Sequence, residues 1–230
     1  MDRDISFFLP CRLGSQRVLN KNTRDFAGIK GGLLYLKLKQ LLKLKIKIIL
    51  STDDEEVIKI GESFKSKYIC IDYRPKHLCL SSTSVLDLIM HVPKVVDTTH
   101  VFWLHTTTPF VSSSFYLDAI EVYFKVIEQG YDSVMSVNKL QSFLWNDELK
   151  EIINFDRTKI KYPQTQDLEP LYEINHSFYA MSLKNYLKFE DRIGVNPFLY
   201  ELNKKQSIDI DWQEDFDLAE LIYLNNQNEI

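Results

Sequence analysis

Short apolar runs alternate with amphipathic windows along most of this chain. Residues 5–9 (ISFFL) stop at Pro10 and read as a buried strand. Residues 33–44 carry leucines at 34, 38, 41 and 42, the spacing of one helix face. Residues 46–50 predict a strand closed by Ser51-Thr52-Asp53, and residues 54–64 a helix with acids in its first turn, where the helix dipole favours them. The alternation continues with a strand at 68–71, a helix at 84–91 broken near Pro93, and a strand at 101–104. Ser114 is placed to cap a helix reaching residue 128, and residues 132–137 form the next strand. The rhythm fails over residues 138–170, which are polar and hold Pro163 and Pro170. It returns with strands at 177–181 and 207–211 and a helix at 215–224. Strand–helix–strand units in series predict a mostly parallel sheet with helices on both faces, an α/β fold. The chain shows no repeat and no clear linker, so residues 1–230 read as one domain with an excursion.

Ligands of such sheets bind beyond the carboxyl ends of the strands. That directs attention to the loops 10–22, 51–54, 74–84 and 105–109. The formal net charge of −4 leaves no basic excess for nucleic-acid or membrane association. Residues 33–50 are the greasiest stretch, yet lysines at 37, 39, 43, 45 and 47 exclude a membrane span. The first residues lack the apolar core of a signal peptide, and Cys11, Cys70 and Cys79 have no CxxC spacing. A cytoplasmic protein with free thiols is the expectation.

The first loop, PCRLGSQRVLNKN, concentrates Arg12, Arg17 and Lys21 with Gly14, Ser15 and Asn22 directly after a strand. Guanidinium forks, an ammonium and bent backbone suit a polyphosphate, but composition alone fits a solvated basic loop equally well. It is neither a P-loop nor a dinucleotide fingerprint, since GxxxxGK[ST] and GxGxxG are both absent. In Asp209-Ile210-Asp211, a strand would project both carboxylates to one face. Two hard oxygens suit Mg²⁺; solvated acids at a strand end are the plainer alternative. Asp53 and Asp54 are placed either to cap a helix or to meet a ligand. His105 ends a strand where ligands sit, while His77, His91, His100 and His176 make no metal spacing.

The segment FLPCRLGSQRVLNKNTRDFAG resembles the N-terminal signature of the sugar-acid cytidylyltransferases, the CMP-sialic acid synthetase family. Ser51-Thr52-Asp53, Arg74-Pro75, residues 104–110, Gly130 to Ser133, Asn175 with Tyr179, and residues 207–211 follow in that family's order. The resemblance implies a Rossmann-like, three-layer nucleotide-diphospho-sugar transferase fold. It implies a Mg²⁺-assisted enzyme that transfers CMP from CTP to the anomeric hydroxyl of a 2-keto sugar acid, releases pyrophosphate, and serves cell-surface polysaccharide synthesis. By the same resemblance Arg12, Lys21 and Asp211 act in catalysis, and Arg12, Ser15, Lys21, Asn22, Arg74 and Ser84 hold the nucleotide. His105, Gln166, Asn175 and Tyr179 contact the sugar, and Asp209 and Asp211 hold the metal. Residues 138–180 correspond to an arm that reaches a second subunit, so a homodimer is expected.

Several positions depart from the family. Gln16 stands where a lysine is usual, with Arg17 adjacent. A glutamine usual near His105 and an arginine-bearing stretch usual at 163–168 are missing. Residues 165–170, TQDLEP, look closer to the pseudaminic acid branch, and His176 replaces a glycine. A pseudaminic, legionaminic or other nonulosonic acid is therefore expected before sialic acid itself. The alternatives are another nucleotidyltransferase, a nucleotide-sugar glycosyltransferase, or an inactive homologue that serves as a binding module.

Overall fold

The computed structural model describes residues 4–225. In chain order the main elements are β1 (Ile5–Pro10), α1 (Gly32–Leu42), β2 (Lys47–Thr52), α2 (Glu55–Ser63), β3 (Ile69–Tyr73), α3 (Val85–Ile89), α4 (Val92–Val95), β4 (His100–Leu104), α5 (Ser113–Glu128) and β5 (Ser133–Leu140). They continue with β6 (Trp145–Asn146), β7 (Glu151–Ile152), β8 (Leu171–Ser182), α6 (Leu183–Phe189), β9 (Pro197–Glu201) and α7 (Gln213–Asn225). The central sheet has seven strands in the order β3-β2-β1-β4-β8-β5-β9. All pair in parallel except β8, which runs antiparallel to both β4 and β5.

The period-two pattern divides the core. Ile5, Phe7 and Leu9 of β1 face α1, α2 and α5 in one cluster, whereas Phe8 faces α3, α4 and α6 with Trp103, Tyr179 and Tyr186 in another. The two clusters fill the two interfaces between the sheet and the helices on either face of a three-layer α/β domain. A third cluster joins the loop after β1 to the C-terminal helix through Val18, Phe26, Ala27, Leu33, Ile210, Phe216 and Ala219. Phe26 meets Phe216 at 5.4 Å and Tyr223 at 5.5 Å between ring centroids. The Ala27 N–H donates to Glu220 Oε1 at 2.6 Å. Burying each of these aromatic side chains contributes about 1.5–3 kcal/mol. The Arg17–Asp211 ion pair between the same two segments is 47% and 44% exposed, and such pairs contribute about 0–1 kcal/mol. Apolar packing therefore holds the first loop against the end of the chain.

Three expectations change. Residues 207–211 form no strand; the segment crosses the carboxyl ends of the sheet, where the Ile210 N–H donates to the Thr107 carbonyl at 3.0 Å instead of joining a ladder. The helix expected at 84–91 does break near Pro93: α3 ends at Ile89, and Pro93 sits in the first turn of α4, where its missing N–H costs no bond. Ser112, not Ser114, caps α5 by accepting from the Phe115 N–H at 3.3 Å. The stretch after residue 182, for which no element was expected, holds α6 and the edge strand β9, whose leading proline is tolerated at an edge. The excursion at 138–170 begins as the end of β5; beyond it lie only the two-residue strands β6 and β7 and a single-turn helix at 165–167.

Gly32 opens α1 with φ at +55°, and a Cβ there would run into the Arg24 carbonyl. The adjoining Leu34 N–H donates to the Asn22 carbonyl at 2.8 Å. Gly32→Ala is expected to cost more than about 1 kcal/mol, read as a lower urea midpoint, because it adds steric conflict to a left-handed backbone.

Candidate active site

One cleft of about 360 Å³ opens over the carboxyl ends of β1, β3 and β4, lined among others by Arg12, Arg17, Lys21, Arg74, Trp103, His105, His176, Arg192, Asp209 and Asp211. A groove lined by Arg12, Ser15, Gln16, Arg17, Lys21 and Asn22 shares the first loop with it. The cationic loop and the acidic doublet thus meet. Lys21 Nζ donates to the Ile210 carbonyl at 2.6 Å and lies 3.4 Å from Asp211 Oδ1. Arg17 forks onto Asp211 with contacts of 3.1 and 2.9 Å and lies over the Trp212 ring at 5.1 Å. Asn22 Oδ1 accepts from the Thr106 hydroxyl at 2.6 Å, tying the first loop to the loop after β4.

The two carboxylates differ in environment. Asp211 is half exposed and paired. Asp209 is largely buried; burial pushes its carboxyl up, and the neighbouring charge of Asp211 adds to this while Thr107 and Lys21 oppose it. Its Oδ1 is buried with no hydrogen-bond partner. An orphaned carboxylate oxygen beside a second carboxylate is a donor set that fits Mg²⁺, which takes one or two carboxylates and completes its shell with water and phosphate oxygens. Among the described residues no group of three or more His, Cys, Asp or Glu side chains is placed to hold a metal ion.

Arg74 is held from below. Its Nε donates to Ser51 Oγ at 3.0 Å and Nη2 to the Ser51 carbonyl at 2.6 Å. Ser51 donates in turn to Asp72 Oδ2 at 2.6 Å, which also meets His91 Nε2 at 2.8 Å. Asp54 caps α2 by accepting from Glu56 N–H, and Asp53 accepts from the Leu13 N–H at 3.0 Å, so both acids are structural.

His105 is partly exposed at the cleft wall, and its imidazole is held well below its ordinary value by desolvation first and then by Arg192 and other cations. The Trp103 indole N–H donates to its Nε2 at 3.0 Å. An indole nitrogen only donates, so Nε2 is the lone-pair side and the neutral ring carries its proton on Nδ1. His176 stands at φ +57° in a bulge of β8, where residues 175–178 face Ser136 of β5. That backbone explains why glycine would be at home there. The bulge aims the His176 ring into the cleft, with Nδ1 2.6 Å from the Tyr179 hydroxyl.

Not every expected residue lines the cleft. Asn175 is buried and spends its amide on Asn138 Oδ1 at 2.8 Å and on the Ser177 N–H, holding the bulge. Ser84 caps α3 by accepting from the Asp87 N–H at 3.1 Å, and its neighbours Val85 and Leu88 reach the cleft instead. Gln166 lies on the 165–167 turn, bonded to Gln164 and through its carbonyl to Gln141, away from the cleft lining. Tyr179 is 1% exposed and meets the site through His176 and Arg192.

Sequence reasoning missed Trp103 and Arg192 because no local pattern marks them, and it marked Thr107 only as part of the loop 105–109. Lys37 had a signal: it falls on the apolar face of α1 among Leu34, Leu38 and Leu41. Fully buried, it donates to the Thr108 carbonyl at 2.8 Å and the Tyr116 hydroxyl at 2.7 Å, fixing the loop beneath Asp209. Burial pushes its ammonium down to about 7, against an attraction from Asp209. Between this value and the ordinary 10.5 the unfolded chain binds the extra proton, so stability rises with pH by up to about 1.4 kcal/mol per unit. The Cys11 thiol, pushed up to about 12 by burial, acts oppositely above pH 9. Urea unfolding at pH 7 and pH 9 is expected to show the rise in the wild type and a flatter profile in Lys37→Met.

Comparisons with known proteins identify the family and the fold. A family profile described as Cytidylyltransferase matches residues 7–230. The chain is 28% identical over 226 residues to the N-acylneuraminate cytidylyltransferase of Escherichia coli O18:K1:H7, covering 95% of this chain and 52% of that protein. It is 26% identical over 231 residues to the pseudaminic acid cytidylyltransferase of Campylobacter jejuni serotype O:23/36, covering 95% of both. The chain thus spans about half the length of the Escherichia coli relative and nearly all of the Campylobacter one. Among solved structures, a CMP:2-keto-3-deoxy-manno-octonic acid synthetase complexed with CTP superimposes with a TM-score of 0.66 at 15% identity, covering 97% of this chain and 99% of that one. A 4-diphosphocytidyl-2C-methyl-D-erythritol synthase from Anaerococcus prevotii also gives 0.66, at 20% identity over 96% of this chain and 99% of that one. These two likenesses establish the nucleotidyltransferase fold, and the profile match establishes the lineage: the chain belongs to the cytidylyltransferase family.

Proposed function

We propose that this protein transfers CMP from CTP to the anomeric hydroxyl of a nonulosonic acid and releases pyrophosphate. The observation that carries the reading is the meeting of Lys21 and Arg17 with the Asp209–Asp211 doublet in one cleft. A bond forms between the sugar oxygen and the α-phosphorus while the bond from that phosphorus to the β-phosphate bridge breaks, so the protein's task is positioning and charge neutralisation. Arg12 and Lys21 hold the triphosphate, with Ser15 and Asn22 in the adjoining groove and Arg74 at the base and ribose side beside α3. Asp211 takes the hydroxyl proton. Asp209 and Asp211 hold Mg²⁺, which when bound supplies positive charge to the phosphate oxygens. His105, His176 and Tyr179 shape the sugar end.

The family membership and the relatives named for N-acylneuraminate and pseudaminic acid support this substrate class. The excursion supports a homodimer, since Phe143, Trp145, Leu149, Ile153, Ile160 and Tyr162 are exposed on it in a single chain. Residues 138–180 then serve as the subunit arm, and a dimer gives Gln166 a sugar to meet in the partner's cleft. Free Cys11, Cys70 and Cys79 support a reducing, cytoplasmic setting; among the described residues no helix is long and apolar enough to cross a membrane.

The test is pyrophosphate release from CTP, UTP and GTP, with and without sialic, pseudaminic, legionaminic and Kdo-type acids. Release from CTP that requires a nonulosonic acid is expected. Equal release with UTP or GTP, or release without a sugar acid, contradicts the proposal.

A further inference from the structure

Arg192 lines the cleft with Trp103, His105 and His176. It follows α6 in a turn fixed on both sides. Asp191 Oδ1 accepts from the Arg192 and Ile193 N–H groups at 2.6 and 3.3 Å. Asp132 Oδ2 accepts from Val195 and Asn196, and Ser133 Oγ from Gly194, each at 2.9 Å. The side chain lies 4.1 Å from the Tyr179 ring centroid and 4.9 Å from that of Trp103. Two aromatic faces at these distances hold the guanidinium plane while leaving its N–H edges able to donate.

The other cations of the cleft differ in their partners. Arg17 and Lys21 face Asp211, and Arg74 is satisfied by Ser51; Arg12, exposed on the first loop, also has no carboxylate partner among the described residues but shares its groove with Ser15 and Lys21 and is held by no aromatic face there. Among the described residues no carboxylate pairs with Arg192, because Asp191 is engaged with backbone N–H groups. Its cleft neighbours His105 and His176 are both held toward the neutral form, in part by the charge of Arg192 itself. Arg192 is thus a partly buried cation held by two aromatic rings beside two neutral imidazoles, with no carboxylate paired to it among the described residues, and it can take an anion from the ligand.

We infer that Arg192 is the specificity-determining group that binds the carboxylate of the acceptor sugar. The inference rests on the function proposed above, in which the acceptor has a single anionic group. A planar guanidinium matches a carboxylate with two parallel hydrogen bonds, which a lysine does not reproduce. The site therefore selects sugar acids over neutral sugars through Arg192, independently of the triphosphate cations.

The test compares wild type, Arg192→Gln and Arg192→Lys, using the preferred acid from the panel above and its C1 carboxamide. In Arg192→Gln the acceptor KM is expected to rise roughly 10–100-fold, the loss of a charged hydrogen-bonded pair, with the KM for CTP changed less than about twofold. The wild-type preference for acid over amide should nearly vanish in that variant and return in part in Arg192→Lys. A thermal midpoint for each variant separates loss of binding from loss of fold, and Arg192→Lys carries the comparison should Arg192→Gln unfold. An acid-over-amide preference unchanged in the variants overturns this inference alone. Wild-type turnover of CTP that needs no sugar acid overturns the functional reading, and this inference with it.

Discussion

Lys21→Ala is expected to lose roughly 10²–10³-fold in turnover while keeping its fold, the scale of removing one preorganised charge donor from a reacting centre. The side chain makes two contacts, with the Ile210 carbonyl and Asp211, and both belong to the site. The first loop is anchored independently by Val18 and Phe26 in the cluster with Phe216. Circular dichroism and a urea midpoint near the wild-type value, measured beside pyrophosphate release, check both halves. Turnover near the wild-type rate would remove Lys21 from the machinery.

The second large effect concerns the doublet, where stability and function are expected to move in opposite directions. Asp209 carries a carboxyl pushed up by burial, with one buried oxygen unpartnered. An acid whose folded-state value lies above its unfolded one stabilises the fold at low pH. That contribution is lost as pH rises above the ordinary value of 3.8. At neutral pH the ionised group is a burden on the fold, and Asp209→Asn relieves it, so the thermal midpoint should rise. The same change removes a hard oxygen ligand, and turnover should fall roughly 10³-fold, equivalent to about 4 kcal/mol of transition-state stabilisation. Asp211→Ala should lose activity and its dependence on Mg²⁺ together, with little effect on stability, because its pair with Arg17 is half exposed. An Asp209→Asn protein that is both active and less stable would contradict the assigned environment.

Local chemistry explains what the sequence disclosed. The apolar runs of β1, β2 and β4 and the leucine face of α1 each reflect burial along a fixed period, so strands and helices emerge near their observed bounds. Strand direction leaves no such trace: β8 is as apolar near residues 177–181 as a parallel strand would be, yet it runs against both neighbours. The doublet was legible as chemistry but not as geometry. Asp209 and Asp211 share the cleft because buried Ile210 separates them on a loop fastened to Thr107, with no strand involved. The cation loop could be read from its composition, whereas its proximity to the doublet depends on Phe26 packing on Phe216, a contact between distant parts of the chain. Arg192 was invisible for the same reason, since its meaning comes from Tyr179 and Trp103 on two other strands. Lys37 was overlooked although its place among leucines marked it as a buried cation.

The central claim is that the first loop and the acidic doublet converge on one metal-bound triphosphate. A crystal structure with CTP and Mn²⁺ tests it most directly, because manganese substitutes for magnesium at oxygen sites and gives an anomalous signal. The account predicts a manganese peak bound by Asp209 and Asp211, with the triphosphate lying along Arg12 and Lys21. A triphosphate seated elsewhere, or a metal held by neither aspartate, would contradict it.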